Sequence, residues 1–255
     1  MKTLGALVLA AFAVVASSAS SADAGKPAET PILVELFTSE GCSSCPPADE
    51  LLRKMDANQP VRGAQLIVLS EHVDYWDQDG WKDQYSATWV TERQDAYCRS
   101  LRLEAYTPQT IVDGAAVLNL TNSKQMNQVF EKAVAAPKAK VSISRVRIDG
   151  GALYGHVQTE SPAGKSGDVY VAVALDHAES QVRAGENQGR HLVHTAVVEY
   201  LKKLGKVKAG SAFDQDFQIK LKNRLDPANL RVVAFLQQPD EGKVFGAALQ
   251  RPPIP

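Results

Sequence analysis

Apolar positions along this chain fall into runs and periods that predict its elements. Ile32 to Phe37 is a near-continuous apolar run and predicts a buried strand. The pattern changes at Pro47. Ala48, Leu51, Leu52 and Met55 stand at i, i+3, i+4 and i+7, and Glu50 and Lys54 form an i,i+4 pair, so an amphipathic helix follows. Pro46 and Pro47 suit its first turn, where amides lack partners in any case. Leu66 to Leu69 predicts a second buried strand, and a polar and aromatic stretch after it becomes helical from about Ser86 to Leu103. Gln109 to Val112 and Ala116 to Leu120 read as two strands joined by a tight turn at Asp113-Gly114. Met126, Val129, Phe130 and Ala133 mark a last amphipathic helix.

Residues 136–140 (Ala-Pro-Lys-Ala-Lys) read as a linker, and the rest is strand-rich. The runs are Val141–Ile148, Leu153–Thr159, Val169–Leu175, Phe217–Leu221, Arg231–Leu236 and Val244–Leu249, with turns such as Asp149-Gly150-Gly151 and Glu241-Gly242 between them. His194 to Leu204 predicts a strand ending in a helical turn. The order β-α-β-(helical insert)-β-β-α is that of an α/β thioredoxin-like domain, expected over 25–136. A mostly antiparallel β-sandwich-like domain is expected over 141–255.

The chain has 255 residues, with Lys+Arg 28 against Asp+Glu 29. Such balance argues against nucleic acid or an anionic membrane as main partner, since both need concentrated positive charge. Lys2 followed by the apolar run Leu4–Ala16 reads as a signal peptide over 1–24, cut after Ala22-Asp23-Ala24 to leave Gly25 first. The run is too short to span a bilayer comfortably, so no membrane insertion is expected after cleavage and the expected location is periplasmic or secreted. An exported chain with only three cysteines, Cys42, Cys45 and Cys98, is not a disulfide-stapled scaffold.

Cys42-Ser43-Ser44-Cys45 lies between the first strand and the first helix. Two thiols at this spacing can bridge, and a helix N-terminus favours thiolate over thiol. Cys42 is expected to be the exposed nucleophile, its pKa moderately lowered because the intervening serines carry no charge. Cys45 is expected to be the buried resolving thiol. Pro108, directly before the third strand, is expected to be cis and to lie against the thiols, with Thr107 offering backbone groups to a bound peptide. His72 and Asp74 follow the second parallel strand, where sites form in open α/β sheets, and are candidates for proton transfer; the alternative is that they brace the insert with Trp76 and Trp81. Cys98 reads as a half-buried core thiol. Gly185–Arg190 lacks the ending of a phosphate loop and reads as a shaped turn that braces the two halves or borders the thiol site.

The segment Glu35-Leu36-Phe37-Thr38-Ser39-Glu40-Gly41-Cys42-Ser43-Ser44-Cys45-Pro46-Pro47-Ala48-Asp49 resembles an uncharacterised, domain-of-unknown-function family of secreted bacterial proteins with a thioredoxin-like domain. His72–Asp77 with Gly80-Trp81, Tyr106–Gln109 with Val112–Gly114, and Gly185–Asn187 with Gly189-Arg190 match it too. His191 and Val193-His194 depart from the commoner polar pattern. The resemblance implies the fold and export, and no reaction.

The leading functional expectation is an exported thiol–disulfide oxidoreductase using the Cys42/Cys45 pair on protein thiols or a dedicated redox partner, with no cofactor and no resident metal. One alternative is Cu(I) handling by the same two cysteines, with His72 as a third ligand. The other is a non-catalytic peptide- or protein-binding module.

Overall fold

The protein was analysed as a computed structural model, which describes residues 29–253 apart from 161, 163 and 224. The expected signal segment, 1–24, and its cleavage point lie outside the described residues.

Elements follow in the order β1 (Thr30–Thr38), α1 (Pro46–Asn58), β2 (Ala64–His72), α2 (Thr88–Leu101), β3 (Gln109–Val112), β4 (Ala116–Leu118) and α3 (Ser123–Ala135). They continue with β5 (Val141–Asp149), β6 (Ala152–Glu160), β7 (Gly167–Gln181), β8 (His191–Val207), β9 (Ala212–Lys220), β10 (Leu230–Gln237) and β11 (Val244–Gln250). β1 and β2 run parallel, Thr38 level with His72, and β3 lies antiparallel on the other side of β1. Both parallel strands are buried along most of their length, as their unbroken apolar runs require.

The strands of the second half do not stand apart from those of the first. One eight-stranded sheet runs β11-β10-β7-β8-β2-β1-β3-β4, joined across the halves where Ser70 of β2 pairs with Val197 of β8. β5, β6 and β9 form a separate three-stranded sheet. It packs on the large one through Leu153, Val157, Phe217 and Ile219 against Val171, Val173, Val232 and Ala234. β8 remains strand from His191 to Val207, so the helical turn expected near Leu204 does not form. The pairing of β8 with β7 holds it extended: Val198 lies opposite Ala174, Leu201 opposite Ala172 and Gly205 opposite Val169.

Alternate residues of β1 and β2 feed different cores. Ile32, Val34, Leu36, Leu66 and Val68 pack with Leu52 and Met55 of α1 and Phe130 and Ala133 of α3. Leu33, Ile67 and Leu69 join Ala172, Ala174, Val233 and Phe235 from the second half. At roughly 1.5–3 kcal/mol per fully buried large apolar side chain, this second cluster is a substantial bond between the halves.

Two ionic groups built on buried arginines add to it. The Arg93 guanidinium donates to Glu35 of β1 (Nε to Oε1 2.9 Å). Tyr97 Oη donates to the same carboxylate at 2.6 Å and accepts from Gln237 Nε2 of β10 at 2.8 Å. Arg231 of β10 makes a two-pronged contact with Asp56 of α1 (3.0 and 2.8 Å) and reaches Asp176 of β7 through Nε.

Candidate functional site

The candidate site lies at the carboxyl ends of β1 and β2. After Thr38 the chain turns through Ser39-Glu40-Gly41. Cys42 N–H donates to Ser39 O and Cys45 N–H to Cys42 O, each at 3.2 Å, before α1 begins. Cys45 precedes the helix without side-chain capping, and Pro46 and Pro47 occupy its first positions. Cys42 and Cys45 are joined by a disulfide with their Cα atoms 5.4 Å apart. Ser44 Oγ lies 3.3 Å from Cys42 Sγ.

Cys42 is not exposed, contrary to the sequence expectation. Both cysteines are 0% exposed, whereas Ser43 and Ser44 between them face solvent. Burial comes from segments far away in sequence. The Asn187 side-chain amide donates to Glu40 O (2.8 Å) and to Cys42 O (2.9 Å), and the Glu186 carboxylate accepts from Ser43 N–H at 3.1 Å. The turn of Gly185–Arg190 therefore borders the disulfide. It also touches the loop after β2, since a Cβ on Gly185 (φ +70°) would meet Asp79 O and Trp81 Cβ at 3.1 Å. Across the disulfide turn, Gly41 lies so close to Trp76 that an added Cβ would stand 3.0 Å from its Cβ.

Trp76 continues the chain of contacts. Its Nε1 donates to Thr107 Oγ1 at 2.8 Å, and Thr107–Pro108 is the cis peptide among the described residues. Four sequence blocks singled out by resemblance thus meet here: the disulfide turn, the loop from His72 to Trp81, Thr107-Pro108, and Gly185–Arg190. Leu103 and Tyr106, the exposed large apolar residues of the described chain, lie in the segment just before the cis bond.

Behind the disulfide turn lies a buried ionisable cluster. His72 Nδ1 meets Asp83 Oδ2 at 2.7 Å, and that oxygen also accepts from Glu40 N–H at 2.9 Å. Trp81 Nε1 donates to Glu40 Oε2 at 2.7 Å. His194 of β8 brings its Nε2 to 3.6 Å from Glu40 Oε1 and its Nδ1 to 3.9 Å from Asp49 Oδ2, and its ring centroid lies 4.8 Å from that of His72. Asp49 stands one helical turn after Cys45, on the same buried side of α1, and its N–H donates to Cys45 O. His72 Nε2, both nitrogens of His194, Glu40 Oε1 and Asp49 Oδ1 are buried without a hydrogen-bond partner among the described residues.

The charges follow from that packing. Burial opposes protonation of His72, but the Asp83 carboxylate overrides it and lifts the imidazole to about 9. Asp83 is lowered by the same contact against its own burial. Burial raises Asp49, with the two histidines pulling the other way. Among the described residues no three His, Cys, Asp or Glu side chains are arranged to hold a metal ion.

Asp74 does not join His72. Its carboxylate accepts from Thr88 and Thr91, each at 2.6 Å, and so braces the first turn of α2. Cys98 is a free, buried thiol on α2, 3.6 Å from Gln109 Oε1. Glu40, Asp49, Asp83, Asn187 and His194 carry no role in the sequence reading. Glu40 and Asp49 lie within a few residues of the cysteines, and Asn187 lies in the turn expected to brace the halves or border the thiol site, whereas Asp83 is brought in by the loop after β2 and His194 by β8.

A family model described as "Protein of unknown function (DUF1223)" matches residues 33–237. No curated protein matches the chain. Among solved structures, a crystal structure of a structural-genomics protein from Agrobacterium tumefaciens is 26% identical, with 87% of this chain and 94% of that one covered at a TM-score of 0.66. A domain of the outer membrane lipoprotein Omp28 from Porphyromonas gingivalis is 11% identical over 46% of this chain and 88% of that one, at a TM-score of 0.31. The sporulation control protein Spo0M from Bacillus subtilis is 12% identical over 46% and 49%, at 0.33. The latter two are too distant to carry an argument, whereas the family match spans most of the chain: this protein belongs to the DUF1223 family of proteins of unknown function.

Proposed function

We propose that this protein is an exported thiol–disulfide oxidoreductase with a thioredoxin-like site in its first half, acting in the periplasm or outside the cell on protein thiols. The observation that carries the reading is the Cys42–Cys45 disulfide at the start of α1, linked through Gly41 and Trp76 to Thr107 and the cis Pro108. A partner thiolate attacks Cys42 Sγ, the S–S bond breaks, and Cys45 leaves as a thiolate. A second partner thiolate then attacks the mixed disulfide and releases Cys42. Two electrons have passed to the pair, and the partner is left as a disulfide. His72, whose Nε2 has no hydrogen-bond partner among the described residues, moves the proton, whereas Asp74 is held by its contacts with α2.

The measurement that tests this is the reduction potential of the pair against glutathione. A working couple lies well above the roughly −300 mV below which structural disulfides fall, and Cys42→Ser abolishes exchange. A potential in the structural range removes the reading. The complete burial of both sulfurs favours a second reading, a non-catalytic peptide- or protein-binding module that does not use the thiols. In that case the double Cys→Ser variant retains its biological activity.

A further inference from the structure

The β7–β8 connection is a closed turn. Val182 N–H donates to Arg190 O and Gly189 N–H to Val182 O, while Gln188 and Arg190 N–H donate to Gly185 O and Asn187 O. Its tip reaches across to the disulfide. The fully buried Asn187 side chain holds the carbonyls of Glu40 and Cys42, on either side of Gly41. Neighbouring Glu186 is exposed and sits on the Ser43 amide, the point where solvent meets the disulfide turn. Hydrogen bonds from Ser43 hold its carboxyl below the usual range, so it carries a full negative charge at neutral pH.

We propose that this turn is a gate over the Cys42–Cys45 disulfide, latched by Asn187, and that Glu186 makes it selective for uncharged or cationic thiols over anionic ones. The proposal rests on the exchange reading above and deepens it. Attack on Cys42 needs an in-line approach to a sulfur that is closed to solvent, so some covering segment must leave. The hydrogen bonds from the 185–190 turn to the disulfide turn are the two donated by Asn187 Nδ2 and the one accepted by Glu186, and Gly185 packs on Asp79, Gly80 and Trp81. Each thiol attacks as its thiolate, so the choice falls on the charge of the rest of the molecule: a sulfonate or carboxylate group is repelled by Glu186, whereas an ammonium group offsets the thiolate charge and is drawn in.

The test uses the oxidised full-length protein and three small thiols in excess: 2-mercaptoethanol, cysteamine and 2-mercaptoethanesulfonate. Mixed disulfide and free thiol are counted by mass spectrometry after acid quench. Asn187→Ala and Gly185→Ala are expected to raise the rate with all three by about tenfold or more, with the equilibrium against glutathione unchanged. Glu186→Gln, at an exposed position, is expected to shift the sulfonate-to-cysteamine rate ratio by about fivefold towards the sulfonate, less at high salt. Rates within twofold of the parent in both latch variants, with far-UV spectra showing both folded, overturn the gate. An unchanged ratio in Glu186→Gln overturns the selectivity. The equilibrium separates this result from the oxidoreductase reading. A potential in the structural range with faster opening in the latch variants removes that reading and keeps the gate, and a working potential with unchanged rates does the reverse.

Discussion

His72 and Asp83 form a closed pair, Nδ1 to Oδ2 at 2.7 Å, with neither side chain exposed. The pair ties the end of β2 to the loop behind the disulfide, and it makes stability depend on pH. An imidazole held at about 9 in the fold against 6.5 ordinarily contributes stability that is complete below pH 6.5 and is lost as pH rises through about 9. The contribution is about 3 kcal/mol. Urea titrations of the parent and of Asp83→Asn between pH 6 and 9.5 should therefore converge as pH rises, with the variant less stable at the acid end. Parallel curves across that range would show that His72 does not titrate there.

Two of the three carboxylates around Arg93, Glu71 and Glu35, should respond differently to loss of charge. Burial, and then the nearby Glu35 carboxylate, push Glu71 well above its ordinary value, which favours its protonated form. Glu71→Gln should change stability by less than about 1 kcal/mol, because the amide reproduces the shape of the protonated acid. Glu35→Gln strips the charge from the Arg93 guanidinium's nearest partner and should cost roughly 3–5 kcal/mol. Denaturant midpoints of the two variants measure the contrast directly, and equal losses would contradict the assignment.

Arg231 is the tie between α1 and the second half. Its side chain is 1% exposed, while those of Asp56 and Asp176 are 15% and 23% exposed. Partial hydration of the acids tempers the loss, so Arg231→Met should cost about 2–3 kcal/mol. A double-mutant cycle with Asp56→Asn should return a coupling of about 1–3 kcal/mol. Additive losses would mean that the pair does not bind the halves together.

Reducing the disulfide should leave the protein folded. Only two residues lie between Cys42 and Cys45, and closing so short a loop restrains the unfolded chain by about 2 kcal/mol. Thermal melts with and without a strong dithiol, on chains equilibrated in each, should differ by a few degrees. Loss of cooperative unfolding on reduction would instead mark the bond as structural.

The elements of the first half were legible because their signals are local. Ile32–Phe37 and Leu66–Leu69 lie inside β1 and β2, and the i, i+3, i+4, i+7 spacing from Ala48 lies inside α1. The reading of His194 to Leu204 failed at its end because Val197, Leu201 and Leu204 fit a helical period as well as a strand. Pairing with β7, which no local pattern displays, decided for the strand. Asp74 and His72 are close in sequence, yet their side chains belong to different networks.

Residue type and short spacing are enough to show the bridgeable pair at the head of a helix, the proline before the third strand, the apolar faces and the near-even charge balance. Tertiary structure alone decided that the second half extends the first half's sheet, that Cys42 is closed off, and that Asn187 and His194 reach the thiol site from 145 or more residues away. Those outcomes depend on the pairing of β8 with β2, and a long-range strand pairing leaves no periodic trace in the chain that forms it.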